Sequence, residues 1–170
     1  MTIWGALAGG FVGTLVLTTT LRAGSELRLT RIDLPFLLGT VFTGDRARAK
    51  AIGYLLHFVN GLLFALLYYA IFRAIDQAGW WVGALFGVAH GLFAGTALVN
   101  IVLPVVHPRM GTPASTSNRL ALLEPPGFMM FNYGLSTPLL SLAAHALYGL
   151  LVGAFTSQHH FIARGANYLR

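Results

Sequence analysis

The stretch Ala51-Ile52-Gly53-Tyr54-Leu55-Leu56-His57-Phe58-Val59-Asn60-Gly61-Leu62-Leu63-Phe64-Ala65-Leu66-Leu67-Tyr68-Tyr69-Ala70-Ile71-Phe72 contains no Asp, Glu, Lys or Arg. It matches the ~20 residues a helix needs to cross ~30 Å of hydrocarbon. A lone span in lipid satisfies its backbone only as a helix. Three further runs read alike: Ile3 to Leu21, Trp80 to Leu103 and Pro138 to Phe155. The expected fold is all-α, an integral membrane four-helix bundle forming one membrane domain over residues 1–170.

Composition points the same way. Hydrophobic residues make up 56% of the chain and charged residues 9%, against about a quarter charged in globular domains. That is too little charge to coat a surface in water, so the expected surroundings are a lipid bilayer, with other membrane subunits as candidate partners. The net charge of +6 resides between the apolar runs, where topology signals sit. With no compact basic domain, nucleic acid is not an expected partner. The absence of cysteine excludes disulfides, thiolate metal sites and cysteine nucleophiles. The first run lacks the positive start of a signal peptide and is expected to be a retained span.

Pro104 is expected to end the third span, because proline cannot extend the hydrogen-bond ladder. Thr137 and Pro138 suit the start of the fourth, and Trp80 and Trp81 suit an interfacial belt at the start of the third. The loop near residues 73–79 is short, and those at 22–50 and 104–137 are long. The first long loop holds Arg22, Arg28, Arg31, Arg46, Arg48 and Lys50, and the second holds Arg109 and Arg119. Only Arg73, Arg164 and Arg170 lie on the other side. Basic loops stay cytoplasmic, so both long loops are expected inside and both termini outside, although Arg164 and Arg170 oppose that orientation. Each long loop has an acidic residue and proline before a short apolar run: Asp33-Leu34-Pro35-Phe36 and Glu124-Pro125-Pro126-Gly127-Phe128. Interfacial segments are expected near 33–43 and 124–134.

The chain also repeats itself. Gly5, Gly9 and Gly13 in the first span echo Gly83, Gly87, Gly91 and Gly95 in the third. Gly53, His57, Gly61 and Ala65 echo Ser141, His145, Gly149 and Gly153. Two units, 1–73 and 79–157, are expected to form a parallel repeat. Glycines four apart share one helix face and let backbones approach closely. The first and third spans are therefore expected to be tightly packed, with each other as one arrangement.

His57, His90 and His145 fall inside spans, where an ionisable side chain faces the bundle interior or a cavity. The repeat pairs His57 with His145 at roughly 10 Å from the cytoplasmic face and puts His90 deeper, at roughly 20 Å. Asn60 and Tyr148 follow the paired histidines by three residues, on the same faces. Three readings stay open. The histidines are neutral polar glue between helices; or they ligate haem b or a metal ion, with Gly61, Gly91 and Gly149 making room for a ring; or they line a substrate or proton path. His107, His159 and His160 lie beyond the spans and read as solvated. Thr112 to Ser117 read as a flexible loop. No phosphate loop, carboxylate metal spacing or nucleophile–base pair is present, so no catalytic residue is assigned.

The segments Gly53 to Ala65 and His145-Ala146-Leu147-Tyr148-Gly149-Leu150 resemble those of small four-span bacterial inner-membrane proteins of unassigned function. In that group a Gly-x3-His-x3-Gly span precedes a proline-broken segment and a second His-x3-Gly span. The resemblance covers most of the chain through short motifs, implies a bacterial inner membrane and transfers no activity. His90 and the acidic-proline elements lie outside its pattern. The leading expectation is a non-enzymatic packing, binding or accessory subunit. The alternatives are a haem- or metal-binding redox protein and a small transporter or channel component.

Overall fold

A computed structural model describes residues 1–111 and 123–157. Arg119, Thr112 to Ser117, His159, His160, Arg164 and Arg170 lie outside the described residues. The fold is all-α, as the apolar runs require. Its α-helices are α1 (Ile3–Glu26), α2 (Leu34–Gly39), α3 (Arg46–Ala74), α4 (Trp80–Phe93), α5 (Leu103–Val106) and α6 (Thr137–Ser157). A π-helical segment (Ala94–Val102) joins α4 to α5, and a 3-10 segment (Phe128–Tyr133) precedes α6. Four helical runs are long and apolar enough to cross a membrane: Ile3–Glu26, Arg46–Ala74, Trp80–Val106 and Thr137–Ser157.

These helices outrun the apolar stretches that define them. The 29 residues of α3 span about 43 Å at 1.5 Å per residue, more than the hydrocarbon needs. Its surplus first turns carry Arg46, Arg48 and Lys50. Pro104 does not end the third span. The helical run passes through it to Val106. Nine π-helical residues lead into the proline, with the Leu103 N–H donating to the Leu98 carbonyl five residues back. The wider turn gives the ring room that an α turn withholds, and proline is tolerated in the first turn of the short α5.

The chain divides into two compact units. The first comprises residues 1–19, 58–90 and 143–170, and the second comprises 20–57 and 91–142. In the described part of the first unit four helical segments meet. The first half of α1 lies against α6, where a Cβ on Gly5, Gly9 or Gly13 would meet Phe155, Val152 and Tyr148 respectively. It also touches α3, with Gly10 against Ala65 and Gly61 against Thr14. On the other side α4 and α6 run backbone to backbone. A Cβ on Gly83 would strike the Gly149 carbonyl, one on Gly149 the Gly83 carbonyl, and one on Gly87 the His145 carbonyl. Gly5, Gly9 and Gly13 of α1 and Gly83 and Gly87 of α4 thus all rest on α6. Such contact gains dispersion and weak Cα–H···O bonds that no side chain could replace.

The second unit joins the two long loops. Asp33 caps α2 by accepting the Phe36 N–H at 3.1 Å, and Pro35 occupies the first turn. The segment at 33–43 is thus a short helix laid on the start of α3. Its Gly39 abuts the Ala49 carbonyl, and Gly53 abuts the Pro35 carbonyl. The second acidic-proline segment takes another form. Met129 and Met130 are buried with φ of 50° and 63°, a left-handed conformation that disfavours side chains. Gly95 on the π-helical segment makes room for the Met129 sulfur. Arg31 donates its amide to the Tyr133 carbonyl at 2.7 Å, its guanidinium bonds to the Asn132 carbonyl, and it pairs with Glu124 at 3.2 Å. The hydroxyls of Thr30 and Thr137 meet at 2.7 Å in a buried contact. Contacts within the second unit therefore join the two long loops.

Candidate functional site

The first unit buries a cluster of histidine and tyrosine rings. Gly87 and Gly149 bring α4 and α6 close enough that His90 and His145 meet edge to face, with ring centroids 4.9 Å apart. Phe64 of α3 stacks on the His90 ring, with centroids 3.8 Å apart. Tyr148, one turn after His145, lies 5.8 Å from His90 and 5.8 Å from Tyr68. Its hydroxyl donates to the Gly61 carbonyl at 2.5 Å, tying α6 to α3. Tyr68, Phe72 and Phe86 continue the aromatic packing, with centroids 5.7 to 5.9 Å apart. His145, Tyr148 and Tyr68 are buried. No carboxylate occurs in residues 46–74, 80–106 or 137–157.

His90 and His145 therefore share a level, where α-helical rise from the span ends had separated them by roughly 10 Å. His57 is buried and belongs to the second unit. Asn60 is exposed and stands apart from the buried Tyr148. Gly91 is buried.

The glycines near these rings let neighbouring helices approach. The space beside Gly61 is taken by the Thr14 side chain, and that beside Gly149 by the backbone of α4. With His90 and His145 in ring contact, a macrocycle has no gap between them. Among the described residues no group of three His, Asp or Glu side chains could hold a metal ion. The arrangement gives ring contact between α4 and α6 and a hydrogen bond from Tyr148 to α3. The Tyr68 hydroxyl is buried and has no hydrogen-bond partner among the described residues.

A second polar site, in the second unit, centres on His107. This residue is buried rather than solvated. Its Nδ1 accepts the Arg109 amide at 3.1 Å, which leaves Nε2 as the protonated nitrogen. Nε2 donates to the Leu37 carbonyl at 3.1 Å and lies 3.2 Å from the Thr40 hydroxyl. The Arg109 guanidinium donates to the Thr40 carbonyl at 2.6 Å and to the Val41 carbonyl at 3.3 Å. His107 and Arg109 thus satisfy carbonyls at the C-terminal end of α2, where a cation also suits the helix dipole. Burial, with the Arg109 charge nearby, holds the imidazole below its ordinary pKa against the opposing Leu37 hydrogen bond. Tyr133 closes the other end of the loop pair by donating to the Glu124 carbonyl at 2.7 Å. Burial and the Glu124 carboxylate push its hydroxyl up to about 12. Sequence reasoning missed His107, Arg109, Tyr68 and Tyr133. The one local signal was the His107-Pro108-Arg109 triplet directly after a span.

No family model, no curated protein and no solved structure matches the chain.

Proposed function

We propose that this multi-pass membrane protein is a non-enzymatic packing or accessory subunit, and that its intramembrane histidines and tyrosines are neutral polar glue. The observation that carries the reading is the Tyr148 hydroxyl. It is committed to the Gly61 carbonyl of a neighbouring helix while its ring and that of His145 pack against His90. Groups engaged in this way hold helices together. The proposed location is a bacterial inner membrane with both long loops in the cytoplasm, supported by the basic residues of those loops. The glycine and histidine echoes between 1–73 and 79–157 support an origin by duplication.

Two measurements test the glue reading. Tyr148→Phe and His145→Ala are expected to destabilise the protein in detergent by about 1–3 kcal/mol through the lost bond and packing. Purified protein from haem-replete membranes is expected to be colourless and metal-free. A visible absorption band, or stoichiometric metal, that disappears in His145→Ala would overturn the reading.

A second reading, a path for a small polar ligand or proton, draws on Tyr68, whose buried hydroxyl has no partner among the described residues. A buried, unsatisfied donor needs a reason. Under that reading Tyr68→Phe abolishes transport. Under the glue reading it leaves stability unchanged or higher, because an orphaned polar atom is removed.

A further inference from the structure

We infer that the exposed face of α3 is the seam of a parallel homodimer, in which Asn60 of one copy hydrogen-bonds Asn60 of a second copy. Asn60 lies ten residues into the uncharged run 51–72. At 1.5 Å per residue that is about 15 Å from its start, near the middle of the hydrocarbon. Its side chain is exposed and joined by no hydrogen bond to another described residue. An amide facing hydrocarbon alone forfeits all its hydrogen bonds, a penalty of several kcal/mol on apolar-solvent scales. Exposed leucines in a span need only lipid, but an asparagine exposed at mid-depth needs a partner.

The residues around it specify the form of that partner. Asn60, Leu63, Leu67, Ala70 and Ala74 are all exposed, and their spacing alternates three and four. That is the spacing of a left-handed two-helix seam, in which a single asparagine fixes register and oligomeric state. Ala70 and Ala74 present small side chains that let two backbones draw together.

Self-complementarity makes a second copy the occupant. The carboxamide carries both a donor and an acceptor, so two of them satisfy one another across a two-fold axis. Copies inserted in the same orientation place Asn60 at the same depth without further adjustment. A different protein would have to supply a polar group at that depth and register.

The absence of cysteine permits a direct test on the full chain in native membranes. Leu63→Cys and Leu67→Cys are expected to form disulfide-linked dimers on mild oxidation. Leu85→Cys, at an exposed position on α4, is expected to remain monomeric. Adding Asn60→Leu to Leu67→Cys should lower the dimer yield about threefold to tenfold, and Asn60→Gln should largely retain it. Because these side chains are exposed, the monomer fold is expected to survive each change. The inference is overturned if positions 63 and 67 link no better than 85, or if Asn60→Leu leaves the yield unchanged. Linkage to a protein of different mass also overturns it. None of these outcomes depends on the role of the histidine cluster.

Discussion

His107 shows how one side chain can fasten two distant pieces of chain. Its neutral ring accepts one hydrogen bond at Nδ1 and donates another at Nε2. Protonating Nδ1 would set an N–H against the Arg109 N–H and place a charge beside the guanidinium. Burial chiefly, with the Arg109 charge, lowers the folded pKa from the ordinary value. A lowered histidine pKa contributes stability that is present above the unfolded pKa of about 6.5 and is lost as pH falls through the folded value. Hydrogen exchange at the Arg109 amide is expected to accelerate below about pH 6.5 relative to the spans, and His107→Gln is expected to abolish that dependence. The residue could not be read from sequence. Its partners Thr40 and Leu37 lie 67 and 70 residues away, and after a span His107-Pro108-Arg109 reads as solvated loop.

At the scale of elements, helix contacts here are set by missing side chains. Gly83, Gly87, Gly149 and Gly153 place α4 and α6 in backbone contact. Gly87→Ala would drive a methyl into the His145 carbonyl, which moves only with its helix. Overpacking of this kind costs about 1–3 kcal/mol. Gly95→Ala instead meets the sulfur of Met129, the mobile part of a flexible side chain, and should cost less. Thermal unfolding of the two variants in one detergent checks the order, and equal losses would contradict it. The spacing of glycines exposed this face in the sequence, because period four is a local property. It could not say that α6 is the helix received by both ladders, since partner choice is a property of three dimensions. Pro104 misled for a related reason. A proline ends an α register, but the chain adopts a π register before it and continues to Val106.

For the whole molecule, the four spans were legible because apolar length is a one-dimensional quantity that lipid thickness fixes directly. The histidine cluster was only half legible. Polar residues within spans stood out, but that His90 meets His145 follows from the packing of α4 on α6, which the sequence does not display. The joined loops carry the topology. Bonds from Arg31 to Glu124 and from Arg109 to Thr40 hold the two long loops together, and the proposal of a cytoplasmic side rests on their basic residues. The most direct test of the membrane architecture is side-selective thiol labelling of Gly44→Cys, Ser117→Cys and Gln77→Cys in intact cells and inverted vesicles. Positions 44 and 117 should label from the cytoplasmic side only, and position 77 from the opposite side only. Labelling of 44 and 117 from opposite sides, or of all three from one side, would contradict four spans with joined cytoplasmic loops.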